Sequence, residues 1–184
     1  MSAYELYLML HIGAAIVWIG AGFLMTLLAT RARAARDPAR VRAIVADGAW
    51  LGLRLFLPAN LIVLGSAILL VQEGGWSYHA LWIRLGLLGF AVSFLSGALF
   101  FGPGWGRLAA ADGSDGRSVE KDMHRLLVGS WLDVGWLLAI VVVMIAKPTT
   151  ANWGALPVAA ALPVCFALLA LAFVRAPVRT PASS

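Results

Sequence analysis

Five uninterrupted apolar runs, each about as long as a membrane is thick, dominate this chain. They extend from Leu6 to Leu28, Ala49 to Val71, Ala80 to Gly102, Leu126 to Ala146 and Ala155 to Val174. A helix needs about 20 apolar residues to cross a hydrocarbon core roughly 30 Å thick, and every run meets that length. In lipid the backbone polar groups must be satisfied within the segment, which leaves the helix as the conformation for such runs. The sequence therefore predicts an all-α integral membrane bundle of five transmembrane helices. It forms one domain over residues 1–175, followed by a short tail from Ala176 to Ser184. Composition argues against a soluble fold: 61% of the 184 residues are hydrophobic and 12% are charged, against about 25% charged in soluble domains. Mean hydropathy is +0.88. The first run is longer than a signal peptide's apolar stretch, and Ser2, Tyr4 and Glu5 before it supply no base, so it reads as an uncleaved span.

The charges set an orientation. Fourteen Lys and Arg against nine Asp and Glu give a net charge of +5. In a polar chain this would point to nucleic acid, but here the bases stand between apolar runs and read as topology signals. Arg31, Arg33, Arg36, Arg40 and Arg42 lie between the first two runs, Arg107, Arg117, Lys121 and Arg125 between the third and fourth, and Arg175 and Arg179 after the fifth. The alternate side holds only Lys147. Basic loops stay in the cytoplasm, so the amino terminus is expected outside and the carboxyl terminus inside. Asp37 and Pro38 make a helix start. The stripe Val41, Ile44 and Val45 after them predicts a helix on or near the headgroups. Asp112 to Gly116 is turn chemistry. Cys165 is the single cysteine, which excludes a disulfide framework and a thiolate metal cluster.

Polar residues within lipid are expensive unless they are paired or face a cavity, so they mark the places where chemistry can sit. Here they form two sets. On the inner side, Arg54 is five residues into the second span and Asp133 about seven into the fourth, so opposite charges stand at similar depth and could pair, first as a structural register device and otherwise on a proton or anion path. Pro58 cannot donate to the carbonyl of Arg54, which predicts a kink that Asn60 lines or spans as interhelical glue. On the outer side, His11 lies roughly 8 Å below the boundary at about 1.5 Å per residue. Glu5, Glu73, Trp76, His79, Trp82, Arg84 and Lys147 share that half, with Trp18 further in. Ala14 and Ala15 stand one turn below His11 and Trp18 two turns below, the small-neighbour and aromatic-floor pattern of a histidine that ligates haem. An interhelical hydrogen bond from His11 is the plain alternative. Met9 and His11 offer copper a thioether and an imidazole, though at this spacing on a helix they face different directions. His124 sits in the cytoplasmic stretch Lys121 to Arg125 and is expected to be solvated. Gly89, Ser93 and Gly97 permit close helix approach.

The opening Leu10-His11-Ile12-Gly13-Ala14-Ala15-Ile16-Val17-Trp18-Ile19-Gly20, the following Arg36-Asp37-Pro38, the stretch Ala98 to Pro103 and the ending Met144-Ile145-Ala146-Lys147-Pro148 resemble a bacterial family of predicted integral membrane proteins of unknown function. The resemblance covers the first four spans, residues 1–148. A similar His-x6-Trp-x-Gly opening occurs in the membrane domain of copper resistance protein D, and a related opening and Lys-Pro ending occur in haem-dependent bacterial protoporphyrinogen oxidase. The second resemblance implies haem b on the first-span histidine, His11 here. Where that family opens its third span with Trp-x-His-x-Lys, this chain reads Trp82-Ile83-Arg84-Leu85-Gly86. His79, one turn outside, is then the substitute second ligand to the haem iron, with Arg84 or Lys147 beside the propionates.

The expectation is a multi-pass protein of the bacterial cytoplasmic membrane that binds haem b through His11 and His79, as a membrane cytochrome or haem-dependent oxidoreductase served by a quinone or another redox partner. A transporter or channel component for copper or a small solute, with His11, Arg54, Asn60 and Asp133 along its path, is the alternative from another class. A non-catalytic assembly subunit is the third. The lipid bilayer is the expected partner in every case, with a homo-oligomer open and nucleic acid excluded.

Overall fold

Two prolines shape the second and third of the long helices. Pro58 and Pro103 lack an amide and cannot bond to the carbonyls four residues back, on Arg54 and Leu99. In each case the chain stays helical by widening into a π turn just before the proline: Gly52–Phe56 precedes Leu57-Pro58, and Gly97–Phe101 precedes Gly102-Pro103. The amides of Leu57 and Gly102 reach back five residues, to the carbonyls of Gly52 and Gly97. Pro58 therefore causes a wider turn rather than a break, and Pro103 repeats the device.

The computed structural model describes residues 1–35, 38–111 and 116–175. Its helices are α1 (Ala3–Ala34), α2 (Pro38–Leu51), α3 (Leu57–Glu73), α4 (Leu81–Ser96), α5 (Gly102–Ala110), α6 (Gly116–Ala146) and α7 (Ala155–Arg175), and no strand occurs among the described residues. The π turns join α2 to α3 and α4 to α5, so five continuous helices are long and apolar enough to cross a membrane. This is the predicted all-α membrane bundle. Ser2 opens it with a capping box, accepting from the Glu5 amide at 3.2 Å while its own amide donates to the Glu5 carboxylate at 2.8 Å.

Two expectations change at the arginine-rich end. The helix carrying Val41, Ile44 and Val45 is not a separate element. It continues the second span, and Ile44 and Val45 are buried with Ala29, Ala32, Leu108, Met123, Leu126 and Leu127, because α1, α5 and α6 extend far enough to cover that stripe. The fourth span likewise begins before Leu126: α6 starts at Gly116, and His124 is half-buried on its early turns. Asp37, the turn from Asp112 to Asp115 and the tail from Ala176 to Ser184 lie outside the described residues.

Packing follows the chain only in part. α7 lies along α6, α3 along α1, and α6 along both α1 and α4, while α2 packs on α5. An Arg33–Glu120 ion pair joins α1 to α6. The outward faces carry large exposed apolar side chains such as Ile16, Leu53, Leu88, Leu99, Ile145 and Leu168, the surface that a lipid solvent requires. The α6–α7 contact depends on Gly135, where an added Cβ would stand 2.8 Å from the Pro163 Cα and 2.9 Å from the Leu162 carbonyl oxygen. These are backbone atoms that cannot swing aside. Gly135→Ala is therefore expected to lower stability by about 1–3 kcal/mol, read as earlier thermal unfolding in detergent. Gly13→Ala, where a Cβ meets nothing within 4 Å, does not lower it.

Candidate functional site

The π turns open a cavity. It measures about 580 Å³ and lies between α1, the α2–α3 helix, the α4–α5 helix and α6, a size typical of small-molecule sites. Its walls are short of side chains by sequence: Gly22, Gly52, Gly97 and Gly106 all line it, and a Cβ on any of them meets nothing within 4 Å. Toward the amino-terminal end of α1 it is closed by Trp18, buried with Ala59, Val63 and Leu137 and set edge-on to Phe90 at 5.7 Å. Trp105 lines the arginine-rich end. α3 and α4 are consecutive in the chain, yet one lies on α1 and the other on α6. Leu53 and Leu57 of the α2–α3 helix line the cavity and are 74% and 39% exposed among the outer apolar residues. The cavity thus reaches the region where lipid stands.

Five polar side chains, Thr26, Asn60, Ser93, Ser130 and Asp133, line this otherwise apolar space. Asp133 on α6 accepts a hydrogen bond from the Ser93 hydroxyl of α4 at 2.7 Å, and both residues line the cavity. Asn60 lines it from α3. Its amide nitrogen donates to the Phe56 carbonyl at 2.7 Å, at the edge of the π turn, and its buried carbonyl oxygen has no partner. Asn60 is therefore not interhelical glue: it bonds within its own helix and leaves an acceptor unused. Buried acceptors are nearly always paired, so an orphan in a cavity wall points to a missing partner.

Arg54 and Asp133 do not form an ion pair. The Arg54 guanidinium lies 5.0 Å from the centre of the Trp50 ring and is exposed, while Asp133 turns to Ser93. Similar depth along two helices says nothing of the direction each side chain takes, and a long arginine reaches outward along the helix surface.

The outer set separates in the same way. His11 is half-buried, and its Nδ1 lies 3.0 Å from the Val63 carbonyl and 3.3 Å from the Ser66 hydroxyl, the interhelical bond that was the plain alternative. Ala14 and Ala15 pack against the cluster of Trp18, Ala59 and Val63, so the room below the imidazole is taken by α3. His79 is exposed in the connection before α4, its backbone amide donating to the Ser77 hydroxyl, and Arg84 is exposed. Lys147 instead joins an aromatic cluster: its ammonium lies 4.5 Å from the Trp76 ring and 5.1 Å from that of Trp82, with Tyr4 edge-on to Trp76. The left-handed backbone of Lys147, φ 44°, ends α6 there. Met9 is exposed, and among the described residues no three His, Cys, Asp or Glu side chains form a group able to hold a metal ion.

Sequence reasoning singled out Asn60, Asp133 and Trp18, but not their meeting at one cavity. The signal was available in Pro103, which stands to Leu99 as Pro58 does to Arg54. Replacing Asn60 by Leu removes an unpaired buried oxygen, which costs about 1–3 kcal/mol, and one hydrogen bond of the kind worth about 0.6 kcal/mol in membranes. Unfolding of ligand-free Asn60→Leu is therefore expected at equal or slightly higher denaturant. A loss of more than about 2 kcal/mol would show that the oxygen is paired.

No curated protein and no solved structure matches the chain, so the likeness to copper resistance protein D and to protoporphyrinogen oxidase finds no support there. A family model does match, described as a predicted integral membrane protein (DUF2269), over residues 5–148. That stretch contains every residue lining the cavity and ends before α7. The chain belongs to this family of predicted integral membrane proteins.

Proposed function

We propose that this chain is a carrier component of the bacterial cytoplasmic membrane that takes a small amphipathic solute from the bilayer into the cavity bounded by α1, the α2–α3 helix, the α4–α5 helix and α6. One observation carries the reading: the cavity has the outward-exposed Leu53 and Leu57 in its lining together with Asp133, Ser93 and Asn60, whose buried oxygen is unpartnered. An acidic residue deep within a span that faces a cavity marks a substrate path more often than a packing device. Trp18 separates the cavity from the amino-terminal half of the bundle, which gives the path a closed side. With the amino terminus outside, the open side faces the cytoplasmic half of the bilayer.

The neutral probe 1-naphthylmethanol tests this. Calorimetry on the purified protein is expected to show saturable binding near one per chain. Gly97→Leu, which places a side chain in open cavity space, abolishes it, and Gly13→Leu at an exposed position of α1 does not. Equal heats from wild type and both variants would mean partition into detergent and overturn the reading.

Haem b on His11 is a second reading, favoured by one feature. Val63 and Ser66 engage Nδ1 and leave Nε2 without a described partner, as in histidines whose ligating nitrogen is oriented by a carbonyl behind it. It ranks second because α3 fills the space beside Ala14 and Ala15 and His79 stands exposed. Protein purified from cells given haem precursor is expected, on this reading, to show a Soret band and reduced α and β bands that His11→Ala loses. Colourless protein that fails to take up hemin removes the reading, together with its redox partner.

A further inference from the structure

Resting on the carrier reading, we propose that the solute is a lipophilic ammonium cation, held by the Asp133 carboxyl group and the Asn60 side-chain oxygen. Among the described residues the lining contains no Lys, Arg or His, and Asp133 is its only ionisable acid. No described residue of the wall can neutralise an anion. A cation, by contrast, meets a carboxyl whose only described hydrogen bond comes from a neutral hydroxyl, and Arg54, the nearest base by depth, is engaged with Trp50.

The second observation is independent of the carboxyl. Asn60 is 6% exposed, its nitrogen is used by Phe56, and the oxygen left over can only accept. Two acceptors on facing helices, α3 and α6, ask for a group that donates in more than one direction. An ammonium does so and a carbonyl or ether cannot. Trp18, Phe56, Phe94, Phe101 and Trp105 supply aromatic lining, which favours an apolar or aromatic body and adds attraction for positive charge in a desolvated site. Entry past Leu53 and Leu57 selects a molecule that already partitions into lipid.

The test compares 1-naphthylmethylammonium with 1-naphthylmethanol, which share a ring system and differ in charge. Wild type is expected to bind the cation at least about tenfold more tightly, the scale of a charge-assisted hydrogen bond in a dry site. Asp133→Asn abolishes that preference while the neutral probe still binds, and Asp133→Glu retains it. Asn60→Leu reduces the preference about threefold without touching the carboxyl, so it carries the test should Asp133→Asn not fold. Binding of both probes with equal affinity in wild type, or a preference that survives both Asp133→Asn and Asn60→Leu, overturns the cation and leaves the carrier standing. Failure of both probes to bind saturably overturns the two together.

Discussion

A backbone carbonyl that loses its amide donor inside lipid must find another within the protein, and the arrangement of this bundle depends on how that demand is met twice. Pro58 and Pro103 each withdraw a donor four residues ahead of a carbonyl. The chain answers with a π turn, keeping the helix continuous while widening it. Widening one helix would leave a packing defect for a neighbour to fill. Widening two that border the same space, with Gly52 and Gly97 at their starts and Gly22 and Gly106 nearby, leaves nothing to fill it with. The cavity is a consequence of backbone chemistry before it is a feature of side chains.

The polar groups divide their labour around this space. Thr26 and Thr30 donate to carbonyls one turn back within α1, while Trp131 reaches Thr30 from α6 and Trp136 reaches the Gly89 carbonyl of α4, so these two tryptophans are spent on holding helices together. His11 belongs with them through its bond to α3. Asn60 does not, since it keeps an oxygen idle, and Asp133 joins α6 to α4 through a single hydroxyl while also lining the cavity. Membrane interiors tolerate such groups where they face a cavity.

Hydropathy made the axial layout readable. The five spans, the basic end and the depth of each polar residue come from position along the chain, because length and the cost of burying charge act along the membrane normal. The arrangement across the membrane plane was not readable. Arg54 and Asp133 sit at similar depth and turn to different partners, one to Trp50 and one to Ser93. His11 and Lys147 share a half of the bundle, yet one bonds to α3 and the other to Trp76 and Trp82. Azimuth depends on which helices touch, and α3 beside α1 rather than α4 is a tertiary choice that no window of sequence records. The stripe of Val41, Ile44 and Val45 was legible as an apolar helix face, but its cover came from the length of α1, α5 and α6.

Each π turn also offsets the helical phase of the segment after it from that of the segment before it. Successive residues of an α-helix are about 100° apart around the axis. A chain one residue shorter between Gly52 and Phe56 would swing the whole of α3 by that angle against α2. Asn60 would leave the cavity in the same movement that took Val63 and Ser66 from His11, although the two sites lie at different heights. The recognition surface and the strut that anchors α3 to α1 thus share one rotational setting, and any change in length upstream acts on both at once.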